Sequence, residues 1–366
     1  MATGTDTSSL AAFVRERPFG IALAVLVAVL FVDLFRKLGA GGITVADLAG
    51  FLKDGTVLGL SLGLAGIGLA MTYSILNFAN FAHGDYITIG GVAGWIATFL
   101  VSGLGSAELE SLALLTASSR TLGVSVATAP VAIVVGLLVA VVLTAAMALL
   151  IDRLVFRPMR GQRGISLLIA SVGVALAVRY LLVFTLQSGP RGLTAGPATP
   201  SWDLAVGSGT VTVTAHELTL AALAVALMLG THVLLRYTTF GTAMRAMADN
   251  EDLAQVSGIP TERVIRTTWL LGAGLTGAAG FLIALERGAL TTSFGWQLLL
   301  LVFAAVILGG IGSVYGAMVG GLVIGLASRL SLVWLPESFI IVAAFVVMIV
   351  ILLVRPEGLL GGVTTV

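Results

Sequence analysis

Long apolar runs separated by short charged or glycine-rich interruptions make up this chain, and the lengths of the runs predict helices that cross a membrane. A crossing takes about 20 apolar residues, so Phe19 to Leu38 is the first candidate. A glycine-rich hinge with Lys53 and Asp54 follows, and Gly55 to Leu76 is the second. Tyr86 to Ser102, Ala129 to Ile151, Ile165 to Leu186, Leu218 to Leu235 and Thr267 to Leu285 continue the series. From Trp296 to Trp334 the only charge is Arg329, and at about 1.5 Å of rise per residue that run is too long for one crossing. It must fold back, with Leu308 to Gly321 as the break, before Pro336 and Glu337 turn the chain into Ile340 to Val354. The fold class is therefore all-α: a polytopic transmembrane helical bundle of roughly eight to ten spans, with broken or re-entrant helices.

The interruptions carry the candidate chemistry. Between the second and third spans, Asn80, His83, Gly84 and Asp85 break what would otherwise be one very long apolar helix. Polar groups are expensive in lipid, so they face a cavity, a partner helix or the aqueous edge. Packing with helix-end hydrogen bonds is one reading of them, and a place on a translocation path or at an interface is the other. Three residues on one short stretch do not make a metal shell, and no metal site is expected. Small residues from Gly59 to Ala70 recur at four-residue spacing in the second span, which suits close approach of a neighbouring helix. Arg179, inside the fifth span, is expected to snorkel to the membrane edge rather than line a path. Gly309, Gly310, Gly312, Ser313 and Gly316 suit a tight turn or a re-entrant hairpin.

Arg236 to Arg266 is the longest charged, continuously patterned segment, and it must lie in water. It reads as two short helices with a glycine between them. The first runs from Thr242 to about Val256, and Gly258 then suits a left-handed helix end. Pro260 permits a fresh start. An ordinary solvated loop is the bland alternative.

Composition narrows the class. The chain has 366 residues, 58% of them hydrophobic and only 10% charged, with a mean hydropathy of +1.09. So little polar surface cannot cover a soluble globule. A net charge of +1 excludes a broad basic surface, so nucleic acid is not a partner. There is no cysteine, hence no disulfide, thiolate metal site or cysteine nucleophile. The first residues carry Arg15 and Arg17 ahead of an apolar run, but lack a clear cleavage site, which suggests an uncleaved first span. Arg153, Arg157, Arg160 and Arg163 form the densest short basic loop, expected in the cytoplasm. Counting crossings from there puts Arg236 to Arg266 and both termini on the same side.

Three stretches, taken together, carry a resemblance. They are Asn80 to Asp85, the segment with Arg245 and Asp252 to Ile259, and Gly309 to Ser313 followed by Gly316. In this order and spacing they resemble the permeases of branched-chain amino acid importers of the ATP-binding-cassette (ABC) type. The likeness runs from about Gly55 to Gly361, leaving residues 1–50 as an extension with the first span and 51–361 as the permease domain, with 237–266 as its coupling loop. The family's coupling pattern is Glu-Ala-Ala, three residues, then Gly. Here Asp252-Leu253-Ala254 and Gly258 keep the spacing with two conservative departures.

The resemblance implies a non-enzymatic subunit in the cell membrane. It implies that Arg245, Asp252, Ala254 and Gly258 dock on cytoplasmic ABC ATPase subunits, which bind the ATP, since no phosphate-binding loop is present in this chain. It further implies a second permease subunit, identical or related, and an extracytoplasmic solute-binding protein, all working within the lipid bilayer. Branched-chain amino acids are the implied substrates, with urea or short amides as the alternative. A stand-alone secondary transporter is a different class, and it would need buried carboxylates and an inverted repeat.

Overall fold

The computed structural model describes residues 18–103, 124–186, 189–193 and 199–361. The residues between the third and fourth expected spans that carry Glu108, Glu110 and Arg120, and the leading Arg15 and Arg17, lie outside these. Among the described residues, eight helices are long and apolar enough to cross a membrane, and a shorter apolar helix, Phe294–Gly309, accompanies them.

Helix α1, Pro18–Gly39, stands at the edge. It is tied at one end, where Lys37 Nζ donates to the Val333 carbonyl at 2.7 Å and Trp334 Nε1 donates to Asp33 at 3.2 Å. Helix α2 runs from Val45 to Leu76, so the expected hinge at Lys53 and Asp54 is instead helical. Its start is set earlier by a capping box, in which Thr44 and Asp47 satisfy each other's backbone N–H groups. Lys53 is held within that helix by Glu217 and by the Thr212 carbonyl. Helix α3, His83–Gly103, follows the polar break. Helix α4, Pro130–Ile151, continues into a π turn, Asp152–Phe156, and a short 3-10 turn, Arg157–Met159. Helix α5 is Gly164–Leu186.

Strand β1, Arg191–Gly192, pairs far along the chain with β4, Ala289–Leu290. Strands β2, Ser201–Val206, and β3, Gly209–Thr214, form an antiparallel hairpin. Gly207, at φ 60°, supplies the positive dihedral its two-residue turn needs. Helix α6 is Ala215–Tyr237. The charged segment then forms α7, Thr239–Asp249, and α8, Glu251–Val256. Helix α9, Thr261–Arg287, α10, Phe294–Gly309, α11, Val314–Leu330, and α12, Ile340–Val354, complete the bundle.

Three helices make the centre. The apolar windows of α2 and α9 are 83% buried and that of α3 is 78% buried, against 28% for α5 and α6. Glycine is what brings them together: a Cβ on Gly90 would lie 2.4 Å from the Gly277 Cα, and one on Gly68 would lie 2.3 Å from the Gly272 carbonyl oxygen. Backbones that close exchange dispersion contacts along their whole length, which replaces the hydrophobic drive that lipid removes. The small face expected of α2 likewise packs on α11, where Gly59 meets Leu322 and Gly63 meets Gly321.

Candidate functional site

Beyond the end of α2, beside the basic loop, the chain breaks its helix before α3 begins. Asn77 closes α2 in the left-handed region, at φ 51°. Asn80 then accepts a hydrogen bond from the Ala82 N–H at 3.0 Å on its side-chain oxygen, which shapes the start of α3. Phe81 N–H donates to Ser171 Oγ on α5 at 3.0 Å. His83 Nε2 lies 2.9 Å from the Ala65 carbonyl in the middle of α2. Because a carbonyl only accepts, that nitrogen carries the proton. Thr276 Oγ1 of α9 lies 3.4 Å from the same nitrogen.

Asp85, in the first turn of α3, is fully enclosed, with no exposed side-chain surface. Arg179 Nε donates to one carboxylate oxygen at 3.2 Å and Nη2 to the other at 3.0 Å. This fork-to-fork geometry is the strongest common form of an ion pair. The guanidinium carbon also sits 4.3 Å from the centre of the Trp296 ring on α10, a cation–π contact. Arg179 therefore turns inward. The expectation that it snorkels fails because a buried carboxylate and an aromatic face lie within its reach, and both repay desolvation better than a long excursion to the membrane edge.

Gly84 makes the junction possible. A Cβ there would meet the Gly295 carbonyl oxygen at 3.0 Å, and a Cβ on Gly295 would lie 2.0 Å from the Gly84 oxygen. The two backbones cross there, which delivers Trp296 to Arg179. Toward the elbow end an aromatic series continues from His83. Tyr86 stands 6.4 Å from it, Trp269 is 6.3 Å from Tyr86, and Phe156 stacks on Trp269 at 5.5 Å with the planes 4° apart. Asn80 Nδ2, Tyr86 Oη and Trp269 Nε1 are buried with no well-formed hydrogen bond among the described residues. Sequence reasoning missed Trp296, Trp269 and Phe156, because nothing local marks an aromatic residue whose partner lies on a distant helix.

The charged segment forms an elbow, but not two short helices. Asn250, extended at φ −161°, ends α7 and caps α8 through a hydrogen bond from the Leu253 N–H at 2.9 Å. After Gly258 the helix is long: α9 starts at Thr261 and runs to Arg287 without interruption, so the expected second short helix and the seventh span are one element. Gly258 has φ 84°, as the left-handed expectation requires. Its N–H bonds to the Gln255 carbonyl and that of Ile259 to the Ala254 carbonyl, both at 3.0 Å, which is the Schellman arrangement.

Arg245 Nη1 donates to the Leu235 carbonyl at 2.7 Å, pinning α7 to the end of α6. Ala254 is 3% exposed and faces the bundle. Asp252 points outward, beside Leu253 of the same pattern at 61% and Val256 at 81% exposure. An ion network braces the foot of α9: Arg160 chelates Asp152 at 2.9 and 2.7 Å and reaches Glu262 at 2.5 Å. Arg157 and Arg266 share the other Glu262 oxygen, at 3.4 and 3.2 Å.

The glycine run resolves into a plain turn and a helix. Gly310 and Gly312 have φ 111° and 84°, and Ser313 caps α11 by accepting from the Gly316 N–H at 2.9 Å. A Cβ on Gly309 would lie 1.9 Å from the Gly316 oxygen. The strand of chain after α12 closes over the turn, with Leu359 N–H bonding to the Leu308 carbonyl at 2.8 Å. This turn does not meet the Asp85 site; it packs beside Tyr73 and Ser74 at the end of α2.

Comparison with known proteins agrees with this architecture. The profile described as Branched-chain amino acid transport system / permease component matches residues 51–354. The high-affinity branched-chain amino acid transport system permease protein LivH of Salmonella typhimurium is 30% identical over 311 residues, covering 84% of this chain and 94% of that protein. The corresponding permease protein BraD of Pseudomonas aeruginosa is 28% identical, covering 85% and 94%. A probable branched-chain amino acid transport permease LivH of Methanocaldococcus jannaschii is 28% identical, covering 82% and 88%. With eight membrane-length helices, the protein is a multi-pass membrane protein, and it belongs to the family of permease components of branched-chain amino acid transport systems.

Proposed function

We propose that the chain is the membrane-spanning permease subunit of an ABC importer, forming part of the translocation path for branched-chain amino acids and moved by separate ATPase subunits. The observation that carries this reading is the elbow. Helix α8 stands outside the bundle with Asp252, Leu253 and Val256 exposed, while the Schellman turn at Gly258 leads into an uninterrupted α9 whose window is 83% buried. A push on α8 is thereby delivered to a central helix as a rigid-body motion. Arg245 and the Arg160 to Glu262 contact keep the elbow from swinging freely.

The names of the relatives, branched-chain amino acid permeases, support amino acids as cargo. The stand-alone transporter has less support: Asp85, the one fully buried carboxylate among the described span residues, is already neutralised by Arg179 and is not free to carry a coupling proton. A second permease subunit and an extracytoplasmic binding protein complete the assembly, with the elbow, the basic loop and both termini in the cytoplasm.

The test is uptake into proteoliposomes of the chain reconstituted with its ATPases, sibling permease and binding protein. ATP-dependent accumulation of leucine, isoleucine or valine above that of urea or acetamide is the expected result. Accumulation by the chain alone, or uptake indifferent to ATP, overturns the reading.

A further inference from the structure

At the foot of α4 lies a cleft of about 330 Å³ lined by Leu149, Asp152, Arg153, Arg157, Glu262 and Arg266. Its charge does not balance. Both Asp152 oxygens are taken by Arg160, and so is one Glu262 oxygen, while Arg157 and Arg266 share the other. Each of those two commits only its Nε, at 3.4 and 3.2 Å, and Arg153 makes no ion pair among the described residues. Counting Arg160, four guanidinium groups face two carboxylates. The cleft is short of negative charge, and its remaining N–H groups form forks suited to phosphate oxygens.

The apolar surroundings name the source of the anion. Leu138, Val142 and Leu149 follow at four- and seven-residue intervals, so they share one face of α4, and Leu149 lines the cleft together with Arg153 and Arg157 of the turns that follow. Leu138 is 59% and Val142 66% exposed, an uncovered hydrocarbon stripe that ends in the basic cleft. A free anion has no use for such a stripe. The elbow's own exposed residues, Leu253 and Val256, are not among those lining the cleft.

We infer that this cleft binds the phosphate of an anionic phospholipid, with the acyl chain lying along α4 and the headgroup held by Arg153, Arg157 and Arg266. The lipid shares Arg157 and Arg266 with Glu262, one turn beyond the elbow, and so braces the foot of α9.

The experiment is native mass spectrometry and thermal unfolding of the full chain in neutral detergent, titrated with dioleoylphosphatidylglycerol, dioleoylphosphatidylcholine or inorganic phosphate. Saturable retention of phosphatidylglycerol over phosphatidylcholine is expected, weakened roughly fivefold for each arginine removed in Arg153→Gln and Arg157→Gln. Arg153→Gln breaks no ion pair, so its unfolding temperature without lipid stays at the wild-type value. Equal retention of both lipids, or of phosphatidylglycerol by wild type and the double variant, overturns the proposal. So does protection by inorganic phosphate equal to that by phosphatidylglycerol, which would mark a free-anion site. Loss of bound lipid when the ATPase subunit is added would mark a protein-docking surface instead, and overturns it equally.

Discussion

Asp85 on α3 and Arg179 on α5 are the only ion pair between those two helices among the described residues, and Asp85 has no exposed side-chain surface. Helix α5 is otherwise little buried, so this pair and the Phe81 to Ser171 hydrogen bond fix where it stands. A pair so placed holds through mutual neutralisation, because either partner left alone is a charge in a low-dielectric interior.

Arg179→Gln should therefore destabilise the protein by about 3–5 kcal/mol, since it leaves Asp85 buried and unpaired. Adding Asp85→Asn should recover most of the loss. Thermal unfolding of the four proteins in a double-mutant cycle measures the coupling, and a single Arg179→Gln variant as stable as the wild type would refute it.

Gly258 is needed for its dihedral and not for room. Among the described residues, no atom beyond its own chain neighbours lies within 4 Å of where its Cβ would sit, yet φ is 84°. Gly258→Asn should retain coupling, whereas Gly258→Val strains the turn by roughly 1–2 kcal/mol and reorients α8. The ratio of amino acid taken up to ATP hydrolysed should fall in the valine variant alone, with membrane insertion unchanged. An unaltered ratio there would show that the turn does not transmit.

His83 links α3 to α2 through the Ala65 carbonyl, an internal contact with no open surface. Its replacement by alanine should cost about 1–3 kcal/mol of stability. Uptake per folded molecule should stay at the wild-type rate, and glutamine should restore part of the stability. Loss of uptake by a fully folded His83→Ala protein would move the residue onto the path.

Glycines in this bundle divide by what surrounds them. A Cβ on Gly59 would lie 2.7 Å from the Leu322 Cα, so Gly59→Leu should force α2 and α11 apart and abolish monodisperse protein. A Cβ on Gly230 of α6 would meet nothing within 4 Å among the described residues outside its own helical turn, and Gly230→Ala should stabilise by roughly 0.5–1 kcal/mol. Size-exclusion profiles and melting curves of the two variants test the contrast.

Much of the fold could be read along the chain, because lipid imposes a length and a polarity on each span that local composition must meet. The presence of a break after α2 and the left-handed turn at Gly258 were legible for the same reason, as polar or glycine residues placed where an apolar helix cannot continue, although the helix resumes at His83, earlier than the expected break to Asp85 allows. Arg179 was misread because its environment is supplied by α3 and α10, more than 90 residues away in either direction. The start of α2 was misplaced because Lys53 and Asp54 look like loop residues until Glu217 is brought beside them. The elbow's second helix was cut short because Glu262, Arg263 and Arg266 read as solvent, whereas Glu262 and Arg266 are tied into the network at the foot of α9.

What the sequence determined unaided is a glycine-rich bundle of membrane helices, interrupted at one polar break, one elbow and one glycine turn. Hydrophobic length and backbone freedom are properties of neighbouring residues, and neighbours are visible in a string. Which charges neutralise each other, which faces of α4 and α8 stay uncovered, and which glycines touch were decided by the packing. Electrostatic and steric pairing depends on distance in space, and in a bundle of long helices that distance bears little relation to separation along the chain.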